Sequence, residues 1–312
     1  MSQLPVIALC GPTAVGKSAL ADRVAAHMGS SVISADAMQI YRGMDIGTAK
    51  TPIETRLVPL EMVDIVSPGT AYSAALFQRD ARVCIERALT EKRVPILCGG
   101  TGLYLRAALD VMQFAHGELE SATRLRLQAE AQELGAHALH ERLAALDPAS
   151  AALIHEHNVV RTIRALELYE QGLSYAQQSQ GFQQPQSYYP TLWFALTCNR
   201  EKLYARIDAR VDAMIEQGLV DEVDVLIGDG YAHALTAQQA IGYKELIAWR
   251  EGQSKLHEAI ALIKQRSRRY AKRQLSWCRS DKRFIWLDMD TLTLDEACSL
   301  ILRHWQAAHE AN

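Results

Sequence analysis

Short apolar runs alternate with helical periodicities through the first third of the chain. Val6-Ile7-Ala8-Leu9-Cys10 is continuously apolar and reads as a strand buried on both faces. From Ser18 onward, Leu20, Val24 and Met28 recur at four-residue spacing, which predicts a helix that Gly29 stops. Further strands are expected at 31–34, 61–66 and 94–98, and a helix at 72–90 with Leu76, Val83 and Ala88 turned inward. Residues 44–59, rich in Gly, Thr and Pro, read as a long loop. Continuous apolar strands separated by helices predict a parallel sheet covered on both faces.

The texture changes near His116. Residues 118–175 carry only helical patterns. Leu119, Ala122, Leu125, Leu127 and Leu134 mark a first helix, and Leu139, Leu143 and Leu146 a second. Asp147-Pro148 opens a third, and 159–173 is a fourth. The Gln-rich residues 177–189 read as a loop. Sheet texture returns at 191–196, helices follow at 200–228, 236–250 and 254–277, and a last strand is expected at 284–287. Thr293 and Glu296 sit at capping-box spacing before a closing helix at 294–308. The expected architecture is α/β. A parallel-sheet core spans 1–117 and 191–312, with an inserted all-helical domain at 118–190.

Composition narrows the class. A chain of 312 residues, 49% hydrophobic and 22% charged, can bury a sizeable core. A net charge of −3 does not announce nucleic acid, so such a partner needs a local basic patch. None of the six cysteines forms a C-x-x-C pair, which disfavours a zinc knuckle or a redox dithiol. Three lie in strand-like runs and read as buried free thiols, as suits a reducing, cytoplasmic setting. No secretory signal pattern and no membrane-spanning apolar run is found.

Directly after the first strand comes Gly11-Pro12-Thr13-Ala14-Val15-Gly16-Lys17-Ser18, the G-x-x-x-x-G-K-[ST] phosphate loop in its strand–loop–helix setting. Its amides and the helix N-terminus can face an anion, Lys17 adds positive charge, and Ser18 offers a hydroxyl to Mg2+. Asp36 follows the second strand at the same sheet edge, either as a general base or metal partner or as a helix N-cap. Gly99-Gly100-Thr101-Gly102 ends the fourth strand, either admitting a ligand closely or making a tight turn capped by Thr101. Arg206 and Arg210 share a helix face suited to a diphosphate, or to pairing with Asp208 and Asp212. Residues 264–283 hold nine Lys and Arg against Asp281, with Tyr270, Trp277 and Phe284 interleaved. That run suits nucleic-acid phosphates with stacking aromatics, or a basic helix whose aromatics face the core. Arg161 and Arg164 form a smaller basic pair in the helical insertion.

Taken in order, these stretches resemble the tRNA dimethylallyltransferases of bacterial type, also called tRNA isopentenyltransferases. The carrying motifs are GPTAVGKS from Gly11, SADAMQIY from Ser34, DIGTAK from Asp45 and GGTGLY from Gly99. RTIRALE from Arg161, AIGYKE from Ala240, and RSRRYAKR from Arg266 with the following QLSW complete the set. The resemblance implies a P-loop NTPase-like core and a soluble monomer. It implies transfer of a dimethylallyl group from dimethylallyl diphosphate to N6 of adenine 37 in the anticodon stem-loop, with Mg2+ bound through Ser18. It gives catalytic roles to Lys17, Asp36, Thr101 and Arg210. It gives tRNA contacts to Asp36, Ala37, Met38, Gln39, Thr101, Thr123, Val160, Arg161, Thr162, Ile163, Arg164, Gln239, Ala240, Ile241, Gly242, Tyr243 and Lys244. Two alternatives stand beside it. One is a small-molecule kinase binding ATP on the same loop, with the insertion as a lid. The other is a non-catalytic P-loop RNA-binding module, which Asp36 and Thr101 at the strand ends disfavour.

Overall fold

The apolar runs pair as one parallel sheet in a computed structural model of the chain, which describes residues 4–114, 121–183, 185–232 and 234–310. Strands β1 (Val6–Cys10), β2 (Val32–Ser34) and β3 (Leu60–Glu61) alternate with helices α1 (Lys17–His27) and α2 (Ala74–Thr90). Strand β4 (Ile96–Gly99) and helix α3 (Gly102–Leu109) follow. Four helices come next: α4 (Ala122–Leu146), α5 (Pro148–Ala152), α6 (Val159–Glu170) and α7 (Tyr175–Gln183). The sheet resumes with β5 (Thr191–Thr197). Helices α8 (Arg200–Glu216), α9 (Leu219–Gly228), α10 (Leu235–Gln239), α11 (Tyr243–Arg250) and α12 (Leu256–Ser280) lead to β6 (Phe284–Asp288) and α13 (Leu294–Glu310). The strand order is β3-β2-β4-β1-β5-β6, all parallel.

Both faces of the sheet are covered, which is why its strands lack alternation. Ile7, Leu9 and Ile96 pack with Leu20 and Val24 of α1 and Ile301 of α13. Val6, Ala8 and Leu97 pack on the other side with Phe77, Ala81 and Ile85 of α2. The inward stripe of α2 therefore excludes Val83, which is 62% exposed. A third cluster joins α8, α9, α11 and α12 to Ile40, Tyr41 and Met44 after β2. Because the strands are parallel, the segments after β1, β2 and β4 emerge at one edge.

Several expectations shift. The strand at 61–66 shrinks to Leu60–Glu61, because Met62 and Asp64 take φ of 61° and 56° and break the ladder. Residues 44–59 form a loop with one short 3-10 turn, but a tethered one: Lys50 Nζ donates to Tyr41 O and Asp45 Oδ1, both at 2.6 Å. The Gln-rich stretch begins as helix α7, in keeping with glutamine's good helix propensity. Gly135, at φ 85°, breaks α4 where the sequence separates two helices, but Leu125 and Leu134 are exposed. Leu119 lies outside the described residues.

The chain divides into two compact units, 1–109 with 189–312, and 110–188. The helical unit starts earlier than 118 because Asp110 bridges Ser187 and Val111 N donates to Gln186 O at 2.7 Å. Its own core gathers Leu127, Leu139, Leu143, Ile154, Ile163 and Leu166.

Candidate active site

The phosphate loop forms as its sequence requires. Gly16 sits at φ 100° as N-cap of α1, in the left-handed region that glycine tolerates, and Ala14 also takes φ 63°. Such turns aim successive amides toward one concavity. A Cβ on Gly11 would lie 2.9 Å from Leu196 O, so glycine also lets the loop pass over β5. Lys17 Nζ folds back onto Pro12 O at 2.8 Å. Burial lowers the Lys17 pKa from its ordinary value, the sulfurs of Cys98 and Cys10 and the Asp36 carboxylate oppose that, and Arg210 adds to it.

A cavity of about 520 Å³ opens beside the loop within the α/β unit. Thr13, Asp36, Ala37, Met38, Thr101 and Arg210 line it, together with all six residues from Gln239 to Lys244. Asp36 is not a helix N-cap. Its Oδ1 accepts from Met38 N–H at 2.9 Å in a turn, which fixes the carboxylate at the cavity wall. Thr101 Oγ1 accepts from Ala37 N–H at 3.1 Å and lines the cavity with Tyr270. Burial pushes the Tyr270 pKa up to about 12, with Asp36 adding to the rise. Arg210 is separated from Arg206 by the packing of α8: Arg206 is exposed, whereas the Arg210 guanidinium reaches Thr13 Oγ1 at 3.5 Å. Burial lowers the Arg210 pKa and the facing Asp36 carboxylate opposes that. Val211, Met214, Leu219 and Ile263 give the cavity an apolar side.

Other residues fall elsewhere. Gln39 turns inward, accepting from Ser34 Oγ at 2.9 Å and donating to Thr48 O at 3.1 Å, and it lines a smaller recess with Ser18. The Gly99–Gly102 turn is tight for protein rather than ligand. Cβ atoms on Gly99, Gly100 and Gly102 would lie 2.0 to 2.2 Å from Ala35 O, Gln274 Nε2 and the Trp277 ring. Trp277 packs edge-on against the buried Phe284, at 5.7 Å between centroids, so of the three aromatics only Tyr270 lines the cavity. The basic run is partly spent on neighbouring helices. Lys264 pairs with Asp212 at 2.6 Å, Arg266 with Glu245 at 2.5 Å, and Arg268 with Asp208. Arg269 and Arg273 remain exposed at the cavity mouth. In the helical unit, Thr162 and Ile163 are buried, Arg164 lies 3.5 Å from Glu167, and Val160 and Arg161 are exposed. Thr123 is on the first turn of α4.

Two further residues shape the site, Glu222, which no motif marks, and Gln274, which opens the QLSW motif without an assigned role. Glu222 accepts from Asp45 N, Ile46 N and Gly47 N at 2.9, 2.8 and 3.2 Å, and from Tyr243 Oη at 2.6 Å, which clamps the cavity wall. Gln274 links Thr13 N–H to Gly100 O. Its signal is a polar residue at a core position in the periodicity of α12, among Ile263, Ala271 and Cys278.

Among the described residues no group of three or more His, Cys, Asp or Glu is placed to hold a metal ion. Ser18 nevertheless presents an exposed hydroxyl at the start of α1. One hard oxygen fits Mg2+ held mainly by phosphate oxygens and water, the usual arrangement for that ion.

A parallel sheet with this loop at its carboxyl edge defines a P-loop NTPase-like α/β fold. The IPP transferase family model matches residues 39–281, and an isopentenyl transferase model matches 4–67. The chain is 46% identical to a tRNA dimethylallyltransferase of Symbiobacterium thermophilum, over 92% of this chain and 90% of that protein. It is 47% identical to one of Geobacillus thermodenitrificans, over 91% and 90%. A full-length tRNA isopentenylpyrophosphate transferase from Bacillus halodurans superposes with TM-score 0.73, 38% identity and 99% of both chains. A eukaryotic dimethylallyltransferase acting on tRNA superposes with TM-score 0.76, 28% identity, and 93% and 76% of the chains. The chain belongs to the IPP transferase family, and so to the prenyltransferases. The metabolite-kinase alternative is not favoured.

Proposed function

We propose that this chain transfers a dimethylallyl group from dimethylallyl diphosphate to the exocyclic N6 of adenine 37 of tRNA, 3′ of the anticodon, and releases diphosphate. The observation that carries this reading is the meeting of Asp36, Thr101 and Arg210 in one cavity beside the phosphate loop. That pairs a base with a cation at a single reacting centre.

An adenine N6 is a weak nucleophile because its lone pair is delocalised into the ring. As the N6–C bond forms, the Asp36 carboxylate takes one N6 proton. Thr101, fixed by Ala37 N–H, orients the amine. The allylic C–O bond breaks and both its electrons leave with the diphosphate. The loop amides, Lys17 and Arg210 meet that charge. Ser18 would hold Mg2+ there, and the ion would supply further neutralisation of the leaving diphosphate. Val211, Met214, Leu219 and Ile263 receive the five-carbon group and keep water from the allylic cation. The base is extruded from its loop to reach Asp36. Ala37, Met38 and the stretch from Gln239 to Lys244 hold it, while Arg269 and Arg273 take backbone phosphates. Thr123, Val160 and Arg161 give the helical unit its own tRNA surface.

The test is incubation with radiolabelled dimethylallyl diphosphate and unmodified tRNA. Label in a single N6-alkylated adenosine at position 37 is expected. Label that stays soluble rejects the proposal, and ATP consumption in its place returns the kinase.

A further inference from the structure

Helix α12 brings two kinds of residue to the site. Arg269, Tyr270 and Arg273 line the cavity. Gln274, one turn beyond Tyr270, does not, and it is 6% exposed. Its amide is used at both ends. Oε1 accepts from Thr13 N–H at 2.9 Å, and Nε2 donates to Gly100 O at 3.0 Å. A buried amide in an otherwise apolar stripe is costly unless both ends are paired. Here both partners belong to turns at the sheet edge that carries the cavity. Gly100 is shaped to this contact, since a Cβ there would sit 2.0 Å from Gln274 Nε2. From Thr13 the chain of contacts continues to Arg210 through the Thr13 hydroxyl, at 3.5 Å.

We infer that Gln274 is a positioning residue for the diphosphate. It holds the start of the phosphate loop in register with the turn at 99–102, from the same helix that carries Arg269, Tyr270 and Arg273. It acts through Thr13 and touches no reacting atom. The inference rests on the proposed transfer from an allylic diphosphate.

Gln274→Met keeps the volume and loses both hydrogen bonds. The KM for dimethylallyl diphosphate then rises about tenfold, while the Kd for tRNA stays within about twofold. An amide needed only for folding would lower the melting temperature and weaken both substrates alike. Gly100→Ala is a second route, because its Cβ displaces the same amide from the other end while the backbone need not move. If both act through one contact, the double variant is no worse than the worse single variant.

The experiment is steady-state transfer of labelled dimethylallyl groups by the full chain, with each substrate varied separately and tRNA binding measured alongside. Wild-type protein that transfers nothing overturns the functional reading and this inference with it. Active wild type with a folded Gln274→Met of unchanged diphosphate KM, or with fully additive losses, overturns the inference alone. Should Gln274→Met fail to fold, Gly100→Ala decides: an unchanged diphosphate KM there also overturns it.

Discussion

Asp36 and Lys17 show how far single residues were legible. Both positions followed from local spacing, a carboxylate after a buried strand and a lysine closing a glycine loop. The turn that holds Asp36 was also local, because its partner Met38 is two residues away. Asp36→Ala removes the proposed base and should lower kcat by about 10²–10⁴-fold. The Kd for tRNA should stay unchanged, and equal turnover in single-turnover assays would reject the role. Lys17 predicts a pH dependence. Burial depresses its pKa, so the charged form is complete at low pH and is lost as pH rises through a value below that of free lysine. A diphosphate favours the charged form. The KM for dimethylallyl diphosphate should therefore climb as pH rises toward the range of a free lysine, and diphosphate binding there should take up a proton. Titration calorimetry in two buffers of different ionisation enthalpy measures that uptake. Gln274 and Glu222 were not legible as site residues, since their partners lie 261 and about 175 positions away.

At the scale of the element, features closed within one turn were legible and features closed between helices were not. The capping box is the first kind: Thr293 N–H donates to Glu296 Oε2 at 2.8 Å and Glu296 N–H to Thr293 Oγ1 at 3.3 Å. The basic run of α12 is the second kind. Its count of charges was plain, but which charges are free depends on Asp208 and Asp212 of α8 and Glu245 of α11. This sorting predicts a difference along one helix. Arg269→Ala and Arg273→Ala should each reduce the slope of log Kd for tRNA against log salt by about one, the signature of a lost phosphate contact. Lys264→Ala and Arg268→Ala should leave that slope in place, because their charges are committed to carboxylates. Filter binding across a salt series separates the two sets. Equal slopes for all four variants would mean that the ion pairs open on binding. The short β3 marks the other limit of element-level reading, since the left-handed Met62 and Asp64 carry no sequence cue as strong as glycine.

Across the whole molecule, the change of texture near His116 was the visible sign of two units, because helical and strand periodicities differ over tens of residues. The edges at 110 and 188 were not visible, since they are set by a pairing of Asp110 with Ser187 that no periodicity encodes. The two units bury separate clusters, and among the described residues the fully buried members of the helical unit's cluster lie between 127 and 166. A core lesion there should consequently be felt by one substrate. Leu166 is fully buried at 0% exposure, so Leu166→Ala should destabilise the helical unit by about 2–5 kcal/mol through lost burial and the cavity left behind. The phosphate loop, Asp36 and Arg210 all belong to the other unit. Dimethylallyl diphosphate should then bind Leu166→Ala with its wild-type Kd, while tRNA affinity falls and thermal unfolding gains an early step. Calorimetric titration of each ligand, beside a melting curve, tests this. A parallel fall in diphosphate affinity would show that the helical unit also shapes the diphosphate site, and that the division of labour between the units is wrong.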